Sequence, residues 1–108
     1  MACVCVVDDQ ALMRESVEAT LTAQDHQVFA FDNAQEALTA IRQRSFDVVL
    51  TDLRLPGMDG VALLREMRRL GLETPVVLMT AYASVATAVE AMKLGAFDYI
   101  QKPFNADE

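Results

Sequence analysis

A doubly wound α/β fold built on a five-stranded parallel sheet is the architecture this sequence predicts, and three observations carry that expectation. Short apolar runs rich in Val, Ile and Phe alternate with longer segments patterned at three and four residues. Runs such as Val48-Val49-Leu50 and Val76-Val77-Leu78-Met79 are apolar at successive positions, as a sheet covered by helices on both faces requires. The chain has 108 residues, 53% of them hydrophobic and 23% charged, which suits one domain rather than two.

The first strand is expected over Cys3 to Val7, and the helix after it presents Leu12, Met13, Val17 and Leu21 as its apolar stripe. His26 reads as an exposed turn residue before the second strand, Gln27 to Phe31, whose mixed composition suits a sheet edge. Asn33 with Glu36 makes a capping box for a second helix with the stripe Ala34, Ala37, Leu38 and Ile41. The third strand is expected over residues 48–51. Gly57 and Gly60 then read as turn residues around Met58-Asp59, with Asp59 capping the third helix and not serving as a ligand. That helix carries Leu63, Leu64, Met67 and Leu70, and Gly71 ends it. The fourth strand is Val76 to Thr80. Ser84 caps a fourth helix striped by Val85, Ala88, Val89 and Met92, which stops at Gly95 before a fifth strand over Asp98 to Gln101. The run Asn105-Ala106-Asp107-Glu108 has a cap residue with Glu three positions later and reads as the opening of a fifth helix, so a longer natural chain is expected.

Composition excludes several function classes. Nine Lys plus Arg against sixteen Asp plus Glu give a formal charge of −7, so no broad cationic surface is available for direct nucleic-acid binding. No apolar run approaches the roughly 18 to 20 residues that cross a bilayer, and the N-terminus has no secretory pattern, so the expectation is a soluble, cytoplasmic domain without a membrane partner. Cys3 and Cys5 are too close along one strand for an unstrained bridge and too few for a structural zinc site. They read as small apolar residues in a reducing compartment. Met58, Met67, Met79 and Met92 are expected to fill core or interface gaps.

Open parallel sheets gather functional groups at the carboxyl ends of their strands. There the sequence places Asp8 and Asp9 after the first strand, Asp52 after the third, Thr80 at the end of the fourth and Lys102 after the fifth. Two like charges about 4 Å apart repel by roughly 4 kcal/mol at an effective dielectric near 20, so three clustered carboxylates call for a counter-charge. All-oxygen ligation with no nearby His or Cys favours Mg²⁺, or Mn²⁺, over zinc. With the metal in place Asp52 can act as a nucleophile towards a phosphoryl group, while Lys102 and the metal neutralise its oxygens and Thr80 donates its hydroxyl. A lone Asp at a strand end is more often a cap or turn former, and five convergent groups are not.

The segments Val6-Val7-Asp8-Asp9, Thr51-Asp52-Leu53-Arg54-Leu55-Pro56-Gly57-Met58-Asp59-Gly60, Met79-Thr80-Ala81 and Tyr99-Ile100-Gln101-Lys102-Pro103-Phe104 resemble, in this order, the receiver domain of two-component response regulators. The resemblance implies a flavodoxin-like (CheY-like) receiver over 1–108, strand order 2-1-3-4-5, with its fifth helix absent or truncated. It implies that Asp52 is the phosphoacceptor and that Asp9, Asp52 and the backbone carbonyl of Arg54 ligate the metal, with Asp8 binding it through water. Thr80 and Tyr99 match the family's switch pair, and the Lys102–Pro103 bond is expected to be cis, as only an X-Pro bond takes that form at modest cost. Arg54 and Tyr82 stand where they would tune phosphate lifetime. The implied partner is a sensor histidine kinase, and the implied chemistry is self-catalysed phosphotransfer onto Asp52 with slow autodephosphorylation.

The stretch from Thr80 to Tyr99 is further similar to receivers of sigma-54-dependent, NtrC-type transcriptional activators. That similarity implies a downstream output domain in the parent chain, control of transcription, and a receiver homodimer through the fourth helix and fifth strand. No Walker-type loop occurs, so ATP hydrolysis by this segment is not expected. Two other readings remain: a small Mg²⁺-dependent phosphohydrolase working through an aspartyl-phosphate, and a phosphate-independent docking module. The first wants an acid-base carboxylate two residues after the nucleophile, where Arg54 stands; the second leaves the acidic cluster unexplained.

Overall fold

The computed structural model describes residues 1–81 and 84–102. Five parallel strands, β1 (Cys3–Val7), β2 (Gln27–Phe31), β3 (Val48–Asp52), β4 (Val76–Thr80) and β5 (Asp98–Gln101), lie in the order β2-β1-β3-β4-β5. Between them run α1 (Ala11–Ala23), α2 (Ala34–Gln43), α3 (Gly60–Arg69) and α4 (Val85–Lys93). β2 forms an edge, as its mixed composition predicts. β3 runs one residue further than expected: Asp52 is still in register with Met79. The expected fifth helix and the Lys102–Pro103 bond fall on residues outside the described ones, as does Tyr82.

The pleat divides the core between the two faces of the sheet. On one face Cys5, Val7, Val49, Val76 and Leu78 meet Ala34, Ala37 and Ile41 of α2, Leu63, Leu64 and Met67 of α3, and Ala91 of α4. On the other, Val4 and Val6 pack with Val17 of α1, flanked by Met13, Leu21, Val28 and Leu50. Cys3 and Cys5 are both free thiols, and burial pushes the Cys5 thiol up to about 12, so it stays protonated and inert.

Helix starts follow the local chemistry. Asn33, Asp59 and Ser84 each accept a hydrogen bond from the N–H three residues on, capping α2, α3 and α4. α1 differs. Its N-cap, Gln10, makes no side-chain cap, and the Gln10 N–H is instead taken by Asp8 Oδ1 at 2.9 Å.

Four expectations need correction. Leu12 is 85% exposed, because Met13, Val17 and Leu21 already supply the inward stripe of α1. In α4 the stripe is displaced: Val85, Val89 and Met92 are exposed, and the helix packs through Ala91 with Thr87, Ala88 and Leu94 half-buried. Apolar residues on more than one side of α4 left its helical phase ambiguous, and small Ala91 lets the helix approach the sheet. Met92 therefore fills no core gap, whereas Met67 and Met79 are buried. His26 is half-buried rather than exposed, since its Nδ1 accepts the Ala2 N–H at 3.0 Å.

The two glycines after β3 differ in purpose. Gly57 has φ +75°, the left-handed conformation a turn there demands. Gly60 is a matter of space: a Cβ at this position would lie 2.3 Å from the Asp52 carbonyl oxygen. In an unhindered helix Gly→Ala stabilises by about 1 kcal/mol. Gly60→Ala is expected to reverse that sign and destabilise the fold by about 1–3 kcal/mol, read from urea unfolding. A neutral or stabilising result would show that α3 can withdraw from the end of β3 without loss.

Candidate functional site

Parallel strands bring their carboxyl ends to one edge, where Asp8 and Asp9 follow β1, Asp52 ends β3, Thr80 ends β4 and Lys102 follows β5. Carboxylate oxygens of Asp8, Asp9 and Asp52 lie within 4.8 Å of one another. Asp8 and Thr80 are fully buried, Asp52 and Lys102 nearly so, and Asp9 faces solvent. A shallow pocket opens over them, lined by Asp9, Gln10, Asp52, Arg54, Thr80, Ala81 and Lys102.

Lys102 ties the cluster together. Its Nζ donates to Asp8 Oδ2 at 2.7 Å and to Asp52 Oδ2 at 3.0 Å. The Lys102 N–H donates to the Thr80 carbonyl at 2.7 Å, which anchors the side chain's root to the end of β4. The remaining Asp52 oxygen, Oδ1, accepts the Arg54 N–H at 3.3 Å, so Arg54 contributes through its backbone while its side chain remains exposed. Burial pushes the Asp52 carboxyl above the usual carboxylate range, with the Asp8 charge acting in the same direction, against the bonds from Lys102 and the Arg54 N–H. Burial alone would lower the Lys102 ammonium, but its bonds to Asp8 and Asp52 and their charges hold it above the ordinary lysine value.

The donor set fits a hard divalent cation: carboxylate oxygens from three positions, one of them solvent-facing, with no nitrogen or sulfur ligand among them. After Lys102 is counted, three carboxylates and one ammonium leave a residual charge of −2, which one dication balances.

Tyr99 takes another position. It lies half-buried on β5, opposite Leu78 in the β4–β5 register, and its hydroxyl is hydrogen-bonded to Thr87 Oγ1 on α4. Thr87 in turn bonds the Ser84 cap through both its N–H and its hydroxyl. Thr87 was not singled out in the sequence. It sits three residues after a cap, an ordinary place for threonine, and only the packing of α4 on β5 pairs it with Tyr99.

Residues 4–108 match the family model described as response regulator receiver domain. Regulatory protein AtoC of Escherichia coli is 46% identical over 95% of this chain, and the DNA-binding transcriptional regulator NtrC of Salmonella typhimurium is 42% identical over 95%. The chain spans 22% of the length of each of these curated relatives. The crystal structure of the receiver domain of NtrX from Brucella abortus superposes with a TM-score of 0.88 at 39% identity, covering 96% of this chain and 88% of that one. Among the described residues no helix is long and apolar enough to cross a membrane.

The raised Asp52 pKa sets the sign of a pH effect. Burial holds the folded carboxyl above the ordinary aspartate range, so its favourable contribution is complete below that range and is lost as pH rises through the folded value. In metal-free buffer, Asp52→Asn is therefore expected to gain thermal stability over the parent from about pH 4 upward, measured by circular dichroism melts. Mg²⁺ at about ten times its Kd should restore roughly 1.4 kcal/mol to the parent, a shift of about 5–10 °C, and much less to the variant. A parent melt insensitive to Mg²⁺ would contradict this account of the cluster.

Proposed function

The chain belongs to the response regulator receiver family, and from that footing we propose that it accepts a phosphoryl group from a sensor histidine kinase onto Asp52 and passes the event to an output domain. The observation that supports this reading most directly is the joint hold of Lys102 on Asp8 and Asp52 beside exposed Asp9.

In this reading an Asp52 carboxylate oxygen attacks phosphorus, the P–N bond of the kinase phosphohistidine breaks, and the imidazole leaves with the electron pair. Asp9, Asp52 and the Arg54 carbonyl would hold Mg²⁺, with Asp8 reaching it through water. When bound, the ion neutralises charge on the phosphoryl oxygens. Lys102 exchanges its bond to Asp52 for one to a phosphoryl oxygen while keeping Asp8 as its second partner. Buried Thr80, at the rim of the same pocket, donates its hydroxyl to another. Hydrolysis of the acyl phosphate resets the site, and the exposed Arg54 side chain is placed to tune the approach of water. An aspartyl-phosphate phosphohydrolase is disfavoured because Arg54, two residues after Asp52, cannot serve as the acid-base group.

The signal travels along β4 and β5. Phosphorylation adds charge and acceptor oxygens at Asp52, drawing Thr80 inward, and the room vacated is taken by Tyr99. Tyr99 cannot turn without giving up its bond to Thr87, so α4 feels the change. The exposed apolar face of Val85, Val89 and Met92 is the surface through which a second receiver would pair, and an NtrC-type parent chain would place its transcriptional output domain downstream.

Incubation with Mg²⁺ and a small phosphodonor should add one phosphoryl group by intact mass, and Asp52→Asn should add none; modification of the variant at the same rate would refute the acceptor assignment. Thr87→Val removes the hydroxyl's bond to Tyr99, worth about 1 kcal/mol, along with its bonds to Ser84, and should shift the Tyr99 ring roughly fivefold towards its phosphorylated-state position, followed by ring NMR signals. Thr87→Ser should behave as the parent. Unaltered Tyr99 signals in Thr87→Val would remove Thr87 from the switch.

A further inference from the structure

Arg14 plays no part in the reading above, yet its placement runs against local helix electrostatics. It is the fourth residue of α1, whose first turn holds no acidic side chain, so its charge faces the positive end of the helix dipole. Some other interaction must favour a cation there. Half-buried Arg14 donates from Nη1 to the carbonyl oxygen of Asp8 at 2.8 Å.

That carbonyl belongs to the peptide joining Asp8 to Asp9. The rest of Asp8 is held from other directions: its N–H donates to the Phe31 carbonyl at 3.1 Å, its Oδ1 accepts the Gln10 N–H, and its Oδ2 accepts Lys102. Arg14 therefore fixes the one polar atom of Asp8 that the sheet, the loop and Lys102 leave over. Rotation of this peptide plane would swing Asp9, the solvent-facing member of the carboxylate cluster.

We propose that Arg14 is a positioning residue for the divalent-cation site, holding the Asp8–Asp9 peptide so that the Asp9 carboxylate points into the cluster. The proposal rests on the reading of Asp8, Asp9 and Asp52 as a Mg²⁺ site. A guanidinium suits the task because its planar fork is rigid and always charged, and because it acts on a backbone oxygen without competing for a carboxylate the metal needs. Groups that orient metal ligands typically carry tenfold or greater effects on affinity.

Arg68 supplies the contrast. It donates to the carbonyls of Leu72, Thr74 and Gly95, near the amino ends of β4 and β5 and away from the acidic edge. Its role is to hold loops.

Mg²⁺ titration of the parent chain, followed by amide NMR shifts, reports folding and affinity together. Arg14→Met is expected to raise the Mg²⁺ Kd about tenfold with the fold retained, and Arg14→Lys, which keeps the charge without the fork, to recover part of that loss. Arg68→Met should lower the melting temperature and leave the Kd within about twofold of the parent, as distant sites act independently. Should Arg14→Met fail to fold, Arg14→Lys decides: a raised Kd supports the role and a parental Kd overturns it. A parental Kd in folded Arg14→Met, or an equal rise in Arg68→Met, overturns the positioning role while leaving the metal site standing. A parent chain that binds no Mg²⁺ overturns the metal reading and the proposal with it.

Discussion

The bridge made by Lys102 is the constraint on which the site depends. Its two partners, Asp8 and Asp52, are 94 and 50 residues away along the chain, and all three side chains are nearly or fully removed from water. Burying a carboxylate without a counter-charge costs several kcal/mol, and the ammonium offsets that cost for both aspartates at once. The bridge does not complete the balance. One cation between two carboxylates, with a third beside them, leaves an excess negative charge facing the pocket, which suits a dication.

The sheet order makes this geometry cheap to specify. Because β1 and β4 both flank β3, the ends of all three strands fall within side-chain reach, and β5 beside β4 lets a long side chain cross back over Thr80 to Asp8. The same neighbours connect the site to α4. The Lys102 N–H is bonded to the Thr80 carbonyl, β5 carries Tyr99 three residues earlier, and Tyr99 reaches α4 through Thr87. Charge at Asp52 and packing at α4 are thus separated by two strands and two side-chain hydroxyls, with no long relay required.

Much of this was legible in the residues. The β runs were readable because fully covered strands are apolar at every position, and the caps at Asn33, Asp59 and Ser84 because capping is a contest among a few neighbouring atoms. Asp8, Asp9, Asp52, Thr80 and Lys102 could be grouped from strand-end logic alone. The phase of α4 could not. Its sequence offers two apolar stripes, and the choice was made by which one lets the backbone come close to the sheet, a question of tertiary fit. Leu12 misled for a related reason: a leucine at a helix start fits the periodic pattern whether or not anything faces it. The Tyr99–Thr87 and Arg14–Asp8 bonds were invisible because each joins residue types with many ordinary uses.

The departures from local preference are instructive in where they gather. Gly60 gives up helix propensity, Arg14 stands against a helix dipole, and Asp8, Asp52 and Lys102 accept burial of charge, all at the carboxyl edge. At the opposite edge Arg68 caps carbonyls and Gly71 and Gly95 close helices, with Asp25 at φ +67° the one exception among the described non-glycine residues. A sequence selected only for stability would have little reason to concentrate its costs at one end. The asymmetry follows if that end must hold a carboxylate ready to react: α3 has to approach the Asp52 carbonyl closely, α1 has to hold the Asp8–Asp9 turn, and Lys102 has to stay charged between them. Each cost is then a condition on the position or charge of one carboxylate, and the stability lost there is supplied by the two apolar layers beneath.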